Sequence, residues 1–95
     1  MIRVVIIYDI SDDKRRRLVS DLLEGWGKRV NRSVFECLIS SPVKLKKIKA
    51  GIENIVDKKT DSVRVYTLCL SCIEKSEGLC AEPHPFEEDA IYFFS

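Results

Sequence analysis

Long apolar runs are missing from this 95-residue chain. None approaches the roughly 18 residues that a membrane-spanning helix requires, so we expect no membrane span. A secretory signal peptide is not indicated, because Arg3 interrupts the apolar start and the run ends at Asp9. Internal repeats and low-complexity segments are also missing. We therefore expect one cytoplasmic protein whose four cysteines are reduced thiols or metal ligands.

A large net charge is missing too, since the formal value at pH 7 is +1. The distribution is nevertheless uneven. Fourteen of the sixteen basic residues lie in positions 1–59, and seven of the fifteen acidic residues lie in positions 60–95. This asymmetry suits an anionic partner bound to one surface, and it also suits exposed helix faces that are simply solvated.

The stretch from Arg3 to Arg17 organises the chain. Its apolar, β-branched start, residues 4–7, predicts a central strand buried on both faces. The strand delivers Asp9 to the rim of the sheet, and Ser11 or Asp12 can cap the helix that follows. An acid in this position can hold a cation, and it can equally be a strand-end or helix-capping carboxylate.

The first helix carries an apolar stripe and a basic opening turn. The stripe consists of Leu18, Val19, Leu22, Leu23 and Trp26. Gly25 and Gly27 mark the end of the helix. Residues 14–17 are all basic and span a full turn, so one or two of them must project toward Asp9.

The remaining elements follow in order. Residues 28–40 predict two short strands with a tight bend, or one kinked strand. Ser41 and Pro42 begin an amphipathic helix that we expect to reach about Asp57. Residues 62–68 alternate as a half-buried strand does.

The last quarter of the chain gives weaker signals. Residues 71–89 predict a loop, because Gly78, Pro83 and Pro85 break any regular period. Residues 90–94 predict a short final strand that pairs at an edge, in its own sheet or in that of a second subunit.

This order predicts an α+β ferredoxin-like βαββαβ sandwich with an extra C-terminal strand. Residues 1–70 form the core, and residues 71–95 form a C-terminal loop and strand. One face of the sheet carries no helix. With Tyr8, Phe35, Tyr66 and the aromatic tail available, we expect that face to be buried against a second copy in a homodimer.

Several motifs together carry a resemblance to a known family. They are Tyr8-Asp9-Ile10, Asp12-Asp13 with Arg16, Gly27 with Arg29-Val30, Ser33-Val34-Phe35-Glu36-Cys37, and Asp61-Ser62-Val63-Arg64-Val65-Tyr66. With these motifs the chain resembles the small CRISPR-associated endonuclease family of spacer acquisition, the non-integrase member of the core adaptation pair. Arg32 stands where many members carry an aromatic residue, and Leu18 stands where some carry a further arginine.

The resemblance implies a homodimeric, Mg²⁺-dependent endonuclease that acts on single-stranded RNA or duplex DNA with an integrase partner. Asp9 of each subunit then shares the cation, Arg16 and Arg29 hold phosphate, and Phe35 stacks on or positions the substrate. Nucleic acid is contacted by Lys14, Arg15, Arg16, Arg17, Arg29 and Arg32. The alternative is a non-catalytic dimeric assembly subunit of the same spacer-integration complex, in which Asp9 is structural.

A second constellation lies near the C-terminus. Cys69, Cys72, Cys80 and His84 offer four nitrogen and sulfur ligands, which predicts a structural zinc site in a zinc-stapled regulatory module. The competing interpretation is a small buried cysteine at a strand end, with incidental loop residues beyond it. A redox Cys-x-x-Cys is disfavoured, because the predicted loop gives it no helix to open after a strand.

Overall fold

The computed structural model describes residues 1–86 and shows a four-stranded antiparallel sheet in the order β2-β3-β1-β4. The elements are β1 (Ile2–Asp9), α1 (Asp13–Glu24), β2 (Gly27–Asn31), β3 (Val34–Ile39), α2 (Pro42–Ile55), β4 (Ser62–Leu68) and α3 (Leu70–Lys75). Helices α1 and α2 cover one face. The predicted βαββαβ ferredoxin-like sandwich is confirmed.

β1 is the central strand, pairing with β3 on one side and β4 on the other. Val4, Ile6 and Tyr8 are buried toward the helices. Tyr8 stacks on Phe35 there, so the expectation that these two rings lie on the helix-free face is wrong. The expectation that both faces of β1 are buried is wrong for the single chain, because Ile7 on the other face is 37% exposed. That open face is the one left without α1 and α2.

Helix α1 begins where the sequence indicated. The Asp12 side chain caps it by accepting a hydrogen bond from the Arg15 backbone N–H at 2.9 Å. Val19 and Leu23 are fully buried against the sheet. Leu18 was predicted to join the apolar stripe, but it is 43% exposed because its position turns away from the core.

The residues between α1 and α2 form two strands and a tight turn. Of the two predictions for this segment, two short strands or one kinked strand, the first is confirmed. β2 and β3 pair antiparallel, with an irregularity in register between Arg29 and Asn31. Gly27 allows the close approach of these strands, since a Cβ there would lie 2.3 Å from the Glu36 carbonyl oxygen.

Helix α2 also begins as predicted. The Ser41 hydroxyl accepts a hydrogen bond from the Lys44 backbone N–H at 3.2 Å, and Pro42 is the first helical residue. Ile48 and Ile52 are buried in the core. The helix ends at Ile55, two residues before the predicted end.

Residues 71–75 are not the loop that the sequence suggested. The residues that break a helix, Gly78, Pro83 and Pro85, all lie after residue 75, and α3 forms directly after β4. The following segment lies over β2 and β3 on the open face. There the Phe86 backbone N–H donates to Glu36 Oε1 at 3.0 Å, and the Phe86 side chain is buried. The predicted strand at residues 90–94 lies outside the described residues.

No helix within residues 1–86 is long and apolar enough to cross a membrane.

Candidate functional site

A groove of about 670 Å³ opens where β1 ends, between α1 and the β2–β3 turn. Four arginines and four acidic residues line it, together with small or aromatic neighbours. The lining residues are Tyr8, Asp9, Ile10, Asp13, Arg16, Arg17, Ser20, Asp21, Glu24, Arg29, Arg32 and Ser33. The structure therefore brings together Asp9 and four of the predicted basic residues.

Asp9 is the last residue of β1, and its side chain is exposed in this groove. The backbone register places it opposite Ser62 of β4. Within residues 1–86 its carboxylate has no hydrogen-bond donor and no ion-pair partner. A rigid central strand thus presents an oxygen ligand that no other residue in 1–86 pairs with.

Arg16 is anchored at the loop between β1 and α1. Its Nη1 donates to the Ile10 carbonyl oxygen at 3.0 Å, and its Nη2 pairs with the Asp13 carboxylate. A guanidinium has five N–H donors, so these two contacts fix its orientation and leave others for a ligand.

Arg29 is held by three different contacts. Its Nη2 donates to the Ser20 hydroxyl and lies 3.8 Å from Glu24 Oε1. Its guanidinium carbon lies 5.5 Å from the centre of the Phe35 ring, within range of a cation–π interaction. These contacts aim Arg29 from β2 across the groove toward α1.

Phe35 is 0% exposed and stacks on Tyr8 with 6.3 Å between ring centres. Phe35 does not line the groove, and its predicted stacking on or positioning of a substrate stays a prediction. What the structure shows is its contact with Arg29. Tyr8 adds to this support, since its hydroxyl donates to the Arg32 carbonyl oxygen at 3.3 Å.

Arg15 lies outside the groove and pairs with Asp61 just before β4. Arg15 Nε lies 2.8 Å from Asp61 Oδ2, and Nη2 lies 3.2 Å from Oδ1. The hydrogen bond from Arg15 holds the pKa of Asp61 below its usual range, and Asp61 in turn raises the pKa of Arg15. Arg15 is therefore committed to an ion pair that ties α1 to β4.

The other predicted basic residues divide between groove and surface. Arg17 and Arg32 line the groove, and neither has a side-chain partner among residues 1–86. Lys14 is exposed on the first turn of α1 and does not line the groove.

Sequence reasoning missed the two α1 residues that orient Arg29. Ser20 is buried at 5% exposure, and Glu24 follows it by one helical turn. A signal was present, since Arg16, Ser20 and Glu24 follow each other at intervals of four and share one helix face.

The predicted zinc ligands do not converge. Cys69 and Cys72 lie together with their sulfur atoms 3.2 Å apart, whereas His84 lines a separate groove over β2 and β3. Within residues 1–86, no group of three or more histidine, cysteine or acidic side chains could hold a metal ion. The arrangement needed for a four-ligand zinc site is thus not formed in the described part of the chain.

The fold and the groove define a small ferredoxin-like protein with anchored guanidinium groups beside a carboxylate that has no partner within residues 1–86. Such a site suits an anionic ligand such as phosphate. The family model of CRISPR associated protein Cas2 matches residues 1–76. The chain belongs to this family.

Two curated relatives span nearly the same length. The chain is 39% identical over 89 residues to the CRISPR-associated endoribonuclease Cas2 1 of Chloroflexus aurantiacus, covering 93% of this chain and 95% of that protein. It is 34% identical over 95 residues to the CRISPR-associated endonuclease Cas2 of Halalkalibacterium halodurans, covering 95% and 98%.

Two solved structures share the fold. Streptococcus pyogenes Cas2 at pH 6.5 matches with a TM-score of 0.72 and 36% identity, covering 82% of this chain and 99% of that one. A chain of a partial Cas6-RT-Cas1–Cas2 complex matches with a TM-score of 0.77 and 30% identity, covering 87% and 96%.

Proposed function

We propose that this protein is a divalent-metal-dependent endonuclease of CRISPR adaptation that hydrolyses phosphodiester bonds in single-stranded RNA or duplex DNA. The observation that carries the proposal is the Asp9 carboxylate, without a partner in the described part of the chain, in a groove with two anchored arginines. The names of the relatives, endoribonuclease and endonuclease, support the same reaction class.

Asp9 fits Mg²⁺ as one half of a site. Mg²⁺ prefers oxygen ligands, keeps several waters and is commonly held by one or two carboxylates together with substrate phosphates. Within residues 1–86 no group of three or more ligands forms, and Asp9 is the carboxylate proposed to hold the cation. A cation held by Asp9 and by Asp9 of a second copy would neutralise charge and would acidify a water.

The arginines act on the phosphate itself. Arg16 and Arg29 each keep unused N–H donors while other contacts fix their direction. Donors that are already oriented stabilise charge developing on phosphate oxygens without reorganising during the reaction. Phe35 and Ser20 hold Arg29 in place, so both act on the phosphate through Arg29.

A second copy completes the site in this proposal. The open face of the sheet presents Ile7 from β1 and Tyr66 from β4, at 37% and 45% exposure. Burying these side chains against the same face of another copy brings two identical surfaces together, as an isologous dimer requires. We propose that residues 71–95 complete this dimer beside the core of residues 1–70.

Nucleic acid is held mainly through its backbone. Arg17 and Arg32 line the groove without partners among residues 1–86, so both are available for phosphate contacts. The integrase partner is Cas1, on the ground that one structural neighbour is a chain of a complex that contains Cas1. Cytoplasmic location agrees with a nucleic-acid substrate and with four thiols free of disulfides.

A non-catalytic assembly subunit is the second candidate. Arg16 pairs with Asp13 and Arg29 lies near Glu24, so part of their charge is already compensated within the chain. This compensation favours a groove that docks nucleic acid for an integrase over one that stabilises a transition state.

A cleavage assay separates the two candidates. Wild type, Asp9→Asn and the control Glu53→Gln, an exposed carboxylate on α2, are incubated with single-stranded RNA and duplex DNA, with Mg²⁺ or chelator. We expect Asp9→Asn to lose about a hundredfold or more in rate, because a metal contributes several kcal/mol of charge stabilisation. Cleavage that survives in Asp9→Asn, or that persists in chelator, contradicts the metal-dependent reaction. DNA binding without any cleavage in wild type supports the assembly subunit.

A further inference from the structure

Two thiols meet where β4 passes into α3. Cys69 directly follows β4, and Cys72 lies one turn farther on in α3. The Cys72 backbone N–H donates to the Cys69 carbonyl oxygen at 3.1 Å, which holds both residues in a single turn. Their Sγ atoms lie 3.2 Å apart, and both side chains are exposed.

The two thiols are not equivalent. The Ser71 hydroxyl lies 3.1 Å from Cys69 Sγ, and hydrogen bonds from Ser71 and Cys72 lower the pKa of Cys69 to about 7. The neighbouring Cys69 raises the pKa of Cys72. Cys69 therefore has the character of an attacking thiolate, and Cys72 that of a resolving thiol.

The other two cysteines differ from this pair. Cys37 is 0% exposed in the core, and burial raises its pKa to about 11. Cys80 is exposed in the segment after α3 and makes no thiol contact within residues 1–86. The chain thus carries its own controls for an exposed single thiol and for a buried one.

We propose that Cys69 and Cys72 form a dithiol–disulfide exchange site that reacts with low-molecular-weight disulfides. The Cys69 thiolate attacks one sulfur of the disulfide, whose S–S bond breaks and whose other half leaves as a thiolate. Cys72 then loses its proton and attacks Cys69 Sγ, which releases the second half as a thiol. The two cysteines are oxidised by two electrons, and the small disulfide is reduced to two thiols.

The position in the fold fits this chemistry. The sequence disfavoured a redox pair for want of a helix after the strand, and α3 supplies that helix. The antiparallel register sets Leu68 opposite Arg3 and Ser62 opposite Asp9, so the pair lies at the other end of the sheet from the groove. The reaction is therefore independent of the proposed nuclease, and either proposal can fail without the other.

Mass spectrometry of the full chain tests the exchange. The protein is incubated with oxidised glutathione, alkylated and digested with trypsin. Cleavage after Arg32, Lys44, Arg64 and Lys75 leaves Cys37 in residues 33–44, Cys80 in residues 76–95, and the pair in residues 65–75. We expect the peptide of residues 65–75 to escape alkylation and to be two hydrogens lighter than its reduced, unalkylated form. Alkylation of both its cysteines after incubation would overturn the proposal.

Two variants separate the steps. Cys72→Ser should accumulate a mixed disulfide between Cys69 and glutathione, because the resolving thiol is missing. Cys80→Ser, the matched exposed control, should still form the 65–75 disulfide. In the reduced protein at pH 7 we expect Cys69 to alkylate faster than Cys72, because hydrogen bonds within the pair lower the pKa of Cys69 and raise that of Cys72. Equal alkylation rates for Cys69 and Cys72 would contradict the site. Glutathione found mainly on Cys80 would also contradict it. So would protection of Cys69, Cys72 and Cys80 together that a chelator releases.

Discussion

Two strand-to-helix junctions in this small sheet carry opposite kinds of chemistry. At the junction of β1 and α1, Asp9 and anchored arginines offer hard oxygen and guanidinium groups. At the junction of β4 and α3, Cys69 and Cys72 offer soft sulfur. A junction between a strand and a helix can therefore present either kind of group, and the side chains decide which.

Topology keeps the two junctions apart. Because β1 and β4 run antiparallel, the end of β1 and the end of β4 lie at opposite edges of the sheet. Asp9 lies six positions after Arg3 along β1, and at about 3.4 Å per position this corresponds to roughly 20 Å. Thiols at that distance do not compete for a cation held at Asp9.

The largest expected effect is a loss of stability when the buried side chain beside each junction is truncated. Phe35 belongs to the main core and contacts Arg29. Ile73 of α3 is buried but does not belong to that core cluster. We expect Phe35→Ala to lower the free energy of unfolding by about 3–5 kcal/mol and Ile73→Ala by about 2 kcal/mol. Urea denaturation measures both. A larger loss for Ile73→Ala would show that α3 is part of the main core.

The pair of Arg15 and Asp61 ties the first junction to the start of β4. Because the pKa of Asp61 is lowered in the folded chain, its contribution to stability is complete above about pH 4, where the unfolded carboxyl ionises, and is lost as the pH falls through the folded value. We expect Asp61→Asn to lower the urea midpoint at pH 7, and the gap to wild type to narrow below about pH 4. A gap that stays constant with pH would contradict the ion pair.

Arginines inside and outside the groove should differ in salt dependence. Arg17 lines the groove, and Arg15 is committed to Asp61. We expect Arg17→Ala to weaken duplex DNA binding and to reduce the slope of log K against log[salt] by about 1. Arg15→Ala should leave the slope nearly unchanged under conditions where it is folded. Equal slope changes for both variants would mean that the groove does not define the binding surface.

The smallest expected effect is a change in cleavage at the Asp9 groove when the cysteine pair at the other junction is altered. Oxidation of the Cys69–Cys72 pair, or Cys72→Ser, should change any cleavage rate by less than about twofold, because distant sites without shared partners behave additively. The measurement is the cleavage rate of reduced and oxidised wild type and of the variant. A tenfold change on oxidation would show that the two ends of the sheet are coupled.

Much of the fold could be predicted because its signals are local. The β-branched run at residues 4–7, the Asp12 cap and the Ser41-Pro42 start each act within a few neighbours. Helix α3 escaped prediction because six residues are too few to show a helical period. Its burial of Ile73 depends on tertiary contacts that no local pattern records.

The candidate site could be predicted only in part. Asp9 was identified by its place at the end of a strand and by the family resemblance. The arginines that reach the groove could not be chosen among residues 14–17, since a full helical turn points them in several directions. Asp61, forty-six positions from Arg15, decides that Arg15 turns away. The burial of Phe35 likewise depends on Tyr8 and on the helices above it.

Metal stoichiometry tests most directly whether Asp9 is half of a shared site. The full chain is titrated with Mn²⁺ in place of Mg²⁺, and bound ion is counted by electron paramagnetic resonance for wild type and Asp9→Asn. We expect one ion for every two chains in wild type and none in Asp9→Asn. One ion per chain, or binding that survives the substitution, would contradict it.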